Sequence, residues 1–174
     1  MKPVHITHSA ISLALIFVCF SIFRGTTNIL NSMIVPFVLY LNMRKLGLKS
    51  TVTTMLGMVI LCTLFFKFQI FFAILYSLMA LLLKITLTGT KPFLLKFVVL
   101  FLGAWLGFTV TLFITDSILG TNIMTALSSI MGGWYPGVFL LIAVEAVVVG
   151  LTLAILPPFI EKRLTGGAQV KGTV

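Results

Sequence analysis

The chain carries few side chains capable of chemistry. It has three carboxylates, Asp116, Glu145 and Glu161, against twelve Lys and Arg and two His. Glu161 adjoins Lys162 and Arg163 and reads as an interfacial ion pair or a solvated group. Glu145 is different, because it sits about nine residues into an uninterrupted apolar run, roughly 14 Å along a helix. A carboxylate at that depth in hydrocarbon costs on the order of 3 kcal/mol or more unless it is paired, protonated or facing water. Such a residue is a functional-site candidate; the plainer reading is a carboxyl bonded to a Ser or Thr of a neighbouring helix. Asp116 ends the preceding apolar run, and Asn122, Trp134 and Tyr135 follow it at the same level. Gly132-Gly133 before the aromatic pair and Pro136-Gly137 around it predict a tight turn. That turn would aim an aromatic ring over a cavity, whereas the competing reading of Trp134 is an interfacial belt residue. Trp105, in mid-run, either lines the same cavity or packs the core. Asp116, Asn122, Trp134, Tyr135, Glu145 and Trp105 are therefore the candidate solute-binding residues.

Other chemistry has no pattern to support it. HExxH, GxSxG, Walker A and CxxC are all missing from the sequence. His5 and His8 share a helix spacing but have no Cys or carboxylate nearby, so no metal site is expected. Cys19 and Cys62 lie in apolar runs and read as small buried hydrophobes. No cofactor is expected. An intramembrane enzyme is the weakest functional alternative, and it would rest on Glu145 alone.

The elements that must position these residues follow from composition. The chain is 60% hydrophobic and 9% charged, with a mean hydropathy of +1.23. Soluble domains are about 45–50% apolar and about 25% charged. The expected solvent is the lipid bilayer. Polar and helix-breaking residues divide the 174 residues into six apolar stretches, at 7–23, 29–43, 51–66, 69–86, 93–115 and 136–160. The expected fold is all-α: one integral membrane domain over 1–174 with six transmembrane helices. Pro36 predicts a kink in the second helix. The break at 67–69 leaves open whether 51–86 forms two spans or a re-entrant hairpin.

The formal charge of +9 is a topology signal rather than a nucleic-acid signal. With six spans and both termini cytoplasmic, ten basic residues fall inside and only Arg24 and Lys67 fall outside. The longest connection, DSILGTNIMTALSSIMGGWY at 116–135, then lies on the outer face. Its apolar stretch from Ile123 to Met131 predicts a short amphipathic helix or a lid over a cavity.

Small residues mark helix contacts. Ala10 and Ala14 lie four apart in the first span, with Ser12 between them, and would let a partner helix approach near the cytoplasmic end. Gly103 and Gly107 repeat the spacing in the fifth span and read as close internal packing.

Size, six spans with both ends inside, the Ala10/Ala14 pair, and a Gly-flanked final span from Gly137 to Arg163 with one internal Glu make the chain resemble a known family. It looks like the substrate-binding membrane subunits, or S components, of energy-coupling factor (ECF) vitamin transporters. The resemblance implies a small vitamin-like solute bound in an outward-facing cavity built by the later helices and outer loops. It also implies docking of a membrane coupling subunit on the Ala10/Ala14 face, ATP hydrolysis by separate ATPase subunits, and a bacterial or archaeal plasma membrane location. Metal-binding relatives with an N-terminal Met-His are not matched, since His5 and His8 are displaced. The general fold also resembles rod-shape membrane subunits, so a structural or assembly protein acting through helix–helix contacts is the alternative.

Overall fold

The computed structural model describes residues 3–23 and 29–169. Lys2, Arg24 and Lys171 fall outside the described residues, as do the side chains of Glu161 and Lys162. Seven helices follow one another: α1 Pro3–Ile22, α2 Ile29–Leu46, α3 Leu48–Phe65, α4 Ile70–Leu87, α5 Phe93–Leu119, α6 Ile123–Ile130 and α7 Tyr135–Gln169. A single 3-10 turn, Lys67–Gln69, joins α3 to α4. Among the described residues there is no strand.

Five segments are long and apolar enough to cross a membrane: Val4–Ile22, Leu48–Phe65, Lys67–Leu87, Phe93–Leu119 and Tyr135–Ile160. The chain is an all-α, multi-pass membrane protein. The 18-residue helices α3 and α4 each rise about 27 Å, close to the roughly 30 Å of a hydrocarbon core. The 67–69 break therefore separates two helices that are each long and apolar enough to cross a membrane.

Helix α2 is as long as α3 but more polar, and the packing explains why. It is surrounded by α1, α3, α4 and α7. Asn31, Ser32 and Asn42, which would be costly against lipid, are buried against these neighbours. Pro36 is buried too, and the helix continues through it.

Polar side chains fasten α1 at both ends. The Ser9 and Ser50 hydroxyls lie 2.7 Å apart, joining α1 to α3. The Ser12 hydroxyl donates to Asn42 Oδ1 at 3.0 Å, joining α1 to α2. At the far end the Asn31 side-chain amide donates to the Phe23 carbonyl at 3.1 Å. Ser12 faces away from Ala10 and Ala14, because two residues turn a helix by about 200°.

Glycines bring the later helices together. A Cβ on Gly103 would meet the Leu82 side chain, and one on Gly107 that of Leu75, so both glycines face α4 as expected. Gly150 faces backbone instead. A Cβ there would lie 3.1 Å from the Phe101 backbone nitrogen and 3.2 Å from its Cα, so the backbones of α5 and α7 approach each other there. One continuous core runs through the bundle, with Val35, Leu39, Met58, Ala73, Leu83, Leu100, Val138 and Leu153 among its fully enclosed members.

Short connections make successive helices antiparallel. One end of the bundle holds α6 and the starts of α2, α4 and α7. The opposite end collects Arg44, Lys45, Lys49, Lys84, Lys91, Lys96 and Arg163.

Candidate functional site

The residues singled out in the sequence divide by what they touch. Asp116 is in the last turn of α5, and its carboxylate is directed into the following loop. Oδ1 accepts from the Thr121 hydroxyl and from the Ile123 N–H at 2.7 Å, and Oδ2 accepts from the Met124 N–H at 2.8 Å. These are the first N–H groups of α6, which a helix cannot satisfy internally. Asn122 occupies the N-cap position of α6 with φ 56° and makes no side-chain cap. Asp116 supplies that cap from the neighbouring helix, and its negative charge suits a helix N-terminus. Gly120, also left-handed, closes α5 by donating to the Asp116 carbonyl at 2.9 Å. A single carboxylate therefore sets the corner between α5 and α6, and α6 packs against α5 and α7.

At the other end of α6, Gly132 and Gly133 adopt φ of 66° and 83°, a conformation only glycine takes easily, which confirms the tight turn. The Gly133 N–H donates to the Ser128 carbonyl at 2.8 Å. Trp134 and Tyr135 are each 52% exposed. The Trp134 ring lies over Gly137 at the start of α7, where an added Cβ would come within 2.6 Å of it. Trp105 is half-buried, and its indole N–H donates to the Phe139 carbonyl at 3.4 Å, a long bond between α5 and α7. Ala10 and Ala14 are both exposed on the outer side of α1.

Glu145 is half-buried in α7, about 15 Å from the start of that helix. It lies within electrostatic range of Tyr76 on α4. Tyr76 was not singled out by the sequence, yet it is among the most enclosed side chains, at 1% exposure. Its ring stacks on Phe20 at 6.0 Å and tilts against Phe72 at 6.3 Å. Phe20 in turn meets Phe66, so Tyr76 borders an aromatic cluster contributed by α1, α3 and α4. Its hydroxyl has no hydrogen-bond partner among the described residues.

Two further buried side chains near this end have an oxygen without a partner among the described residues. They are Asn31, through Oδ1 on the first turn of α2, and Gln69, through Oε1 in the turn before α4. A buried polar atom left unbonded costs about 1–3 kcal/mol, so such atoms are few in native proteins. Most other hydroxyls in the spans avoid that cost by bonding to the carbonyl four residues back, as Thr54, Ser77, Thr109, Thr115 and Thr152 do. Asn31, Gln69 and Tyr76 depart from that rule, as do the Asn42 amide nitrogen and the Thr86 hydroxyl towards the opposite end of the bundle. A sequence signal existed, because Asn31 and Gln69 are amides next to apolar runs. Tyr76 resembled an ordinary aromatic residue in a span.

The bundle therefore has unbonded oxygens on Asn31 and Gln69 at the α6 end and, deeper in the spans, the Tyr76 hydroxyl with its aromatic neighbours in range of the Glu145 carboxyl. This combination suits recognition of a small solute that carries both a ring and polar edges. Comparison of the chain with family models, curated proteins and solved structures finds no match.

Proposed function

We propose that the chain is a solute-capture membrane subunit of the energy-coupling factor type. It has six spans, counting α2, with both termini on the cytoplasmic side of a bacterial or archaeal plasma membrane. The solute is small and vitamin-like and enters from the outer face, beneath α6. The observation that carries this reading is the set of unpartnered buried oxygens on Asn31, Gln69 and Tyr76, with Glu145 in range of the last. A bound solute would complete these bonds, and the phenyl rings around Tyr76 would stack on it. Six spans are supported by the enclosure of α2 among four other helices, which explains why its polarity lowers its hydropathy. The inside assignment rests on the basic residues gathered opposite α6. Energy would come from separate ATPase and coupling subunits, the coupling subunit docking on the exposed Ala10/Ala14 face.

The test is a thermal-shift screen of the purified chain against water-soluble vitamins and their precursors. A stabilising compound whose effect disappears in Glu145→Gln supports capture. No stabilisation by any member of the panel would turn the assignment to a structural or assembly protein. One observation favours that second reading: Asp116 and Trp105 are both engaged in internal bonds that shape the bundle.

A further inference from the structure

The end of the bundle opposite α6 carries a second feature, independent of the solute-capture reading. Helices α5 and α7 are in tight contact where Gly150 meets Phe101. Eight residues further towards that end, the pair opens into a cleft of about 330 Å³. Its walls are Phe93 and Lys96 from α5 and Ala154, Ile155, Pro158 and Phe159 from α7. Pro157 and Pro158 lie inside α7 and provide no N–H to the preceding turn. Five of the six lining residues are apolar, so the cleft accepts hydrocarbon. Lys96 is half-buried among them. Arg163 lies one turn beyond, its guanidinium 4.9 Å from the centre of the Phe159 ring. That contact holds the cation beside the mouth of the cleft.

Two cations above an apolar slot have a charge pattern that complements an acyl chain ending in an anionic headgroup. Of the two carboxylates whose side chains are described, neither neutralises them: Asp116 is at the opposite end with both oxygens bonded, and Glu145 is nine residues up the helix from Ala154, about 14 Å away. We propose that this cleft binds an anionic phospholipid, with its phosphate between Lys96 and Arg163 and an acyl chain along Phe93, Ile155 and Phe159. Basic pockets between membrane helices are known to hold such headgroups. The lipid would fill the gap that the two prolines leave between α5 and α7.

The experiment is native mass spectrometry of the full chain released from nanodiscs of equal phosphatidylglycerol and phosphatidylcholine. Phosphatidylglycerol should be retained preferentially, and Lys96→Gln and Arg163→Gln should each lower retention about fivefold. Lys96→Arg should preserve it. Lys45→Gln, at the same end but outside the cleft, should leave it unchanged. Arg163 is exposed, so its substitution tests the proposal even if a variant at Lys96 does not fold. Equal retention of the two lipids would overturn the proposal. So would an equal loss in Lys45→Gln, which would mean a diffuse basic surface. Displacement of the lipid by millimolar inorganic phosphate would also overturn it, because the site would then select free anions without the chain.

Discussion

Replacing Tyr76 by Phe removes one oxygen and leaves the stacking on Phe20 and Phe72 in place. The residue is 1% exposed and its hydroxyl has no partner among the described residues. In the solute-free protein that oxygen is a burden of about 1–3 kcal/mol. Tyr76→Phe should therefore raise stability by up to that amount. At about 2–4 °C per kcal/mol for a chain of this size, the melting temperature should rise by about 2–12 °C. The sign reverses for the bound state. If a solute supplies the missing partner, its loss weakens binding by about 1–3 kcal/mol, or roughly 5–150-fold. The assay is scanning fluorimetry of the purified chain in detergent with and without the stabilising solute, followed by titration of both proteins. A variant that melts below the parent without solute would refute the reasoning, because the hydroxyl would then have a partner. A variant that melts higher but binds the solute unchanged would remove Tyr76 from the site. Glu145→Gln sharpens the test. If both residues meet one solute, the double variant should lose less than the sum of the single losses.

Three other outcomes follow from particular contacts. Asp116→Ala leaves the Ile123 and Met124 N–H groups without their acceptors, so it should cost about 2–4 kcal/mol and speed proteolysis of the 116–135 segment; Asp116→Asn, which keeps one acceptor oxygen, should cost less. Gly150→Ala should lower the melting temperature more than Gly103→Ala, since the new methyl meets the Phe101 backbone at 3.1 Å, whereas at Gly103 it meets the movable tip of Leu82. Ala10→Trp or Ala14→Trp should abolish uptake in cells while solute binding by the purified chain persists, since both residues are exposed on α1; equal loss of both activities would count against a docking role.

Much of the scaffold was legible because hydropathy is a local property. The six apolar stretches begin and end within a few residues of the six long helices over most of their length, although α7 continues well past residue 160 to Gln169. The short helix at Ile123–Ile130 matches the apolar stretch seen in the long connection, and Gly132-Gly133 form the expected turn. The candidate site was less legible. The position of Asp116 at a helix end predicts a solute ligand, whereas its carboxylate caps α6. Its bonds to Thr121, Ile123 and Met124 depend on Gly120 and Asn122 both turning left-handed, which brings the chain back over the carboxylate. The Trp134 ring lies against Gly137, where only a missing Cβ leaves room.

The sequence by itself determined the apolar, all-α character of the chain, the positions of its long helices, and the end of the bundle at which positive charge collects. Each follows from residue type and spacing along the chain. Only the tertiary structure decided which face of each helix meets protein. A helix that is apolar all round carries no stripe to mark its buried side. That choice depends on where small residues permit close approach, as at Gly103, Gly107 and Gly150. It is also what enclosed α2, buried the Tyr76 hydroxyl within range of Glu145, and opened a basic-mouthed cleft between α5 and α7.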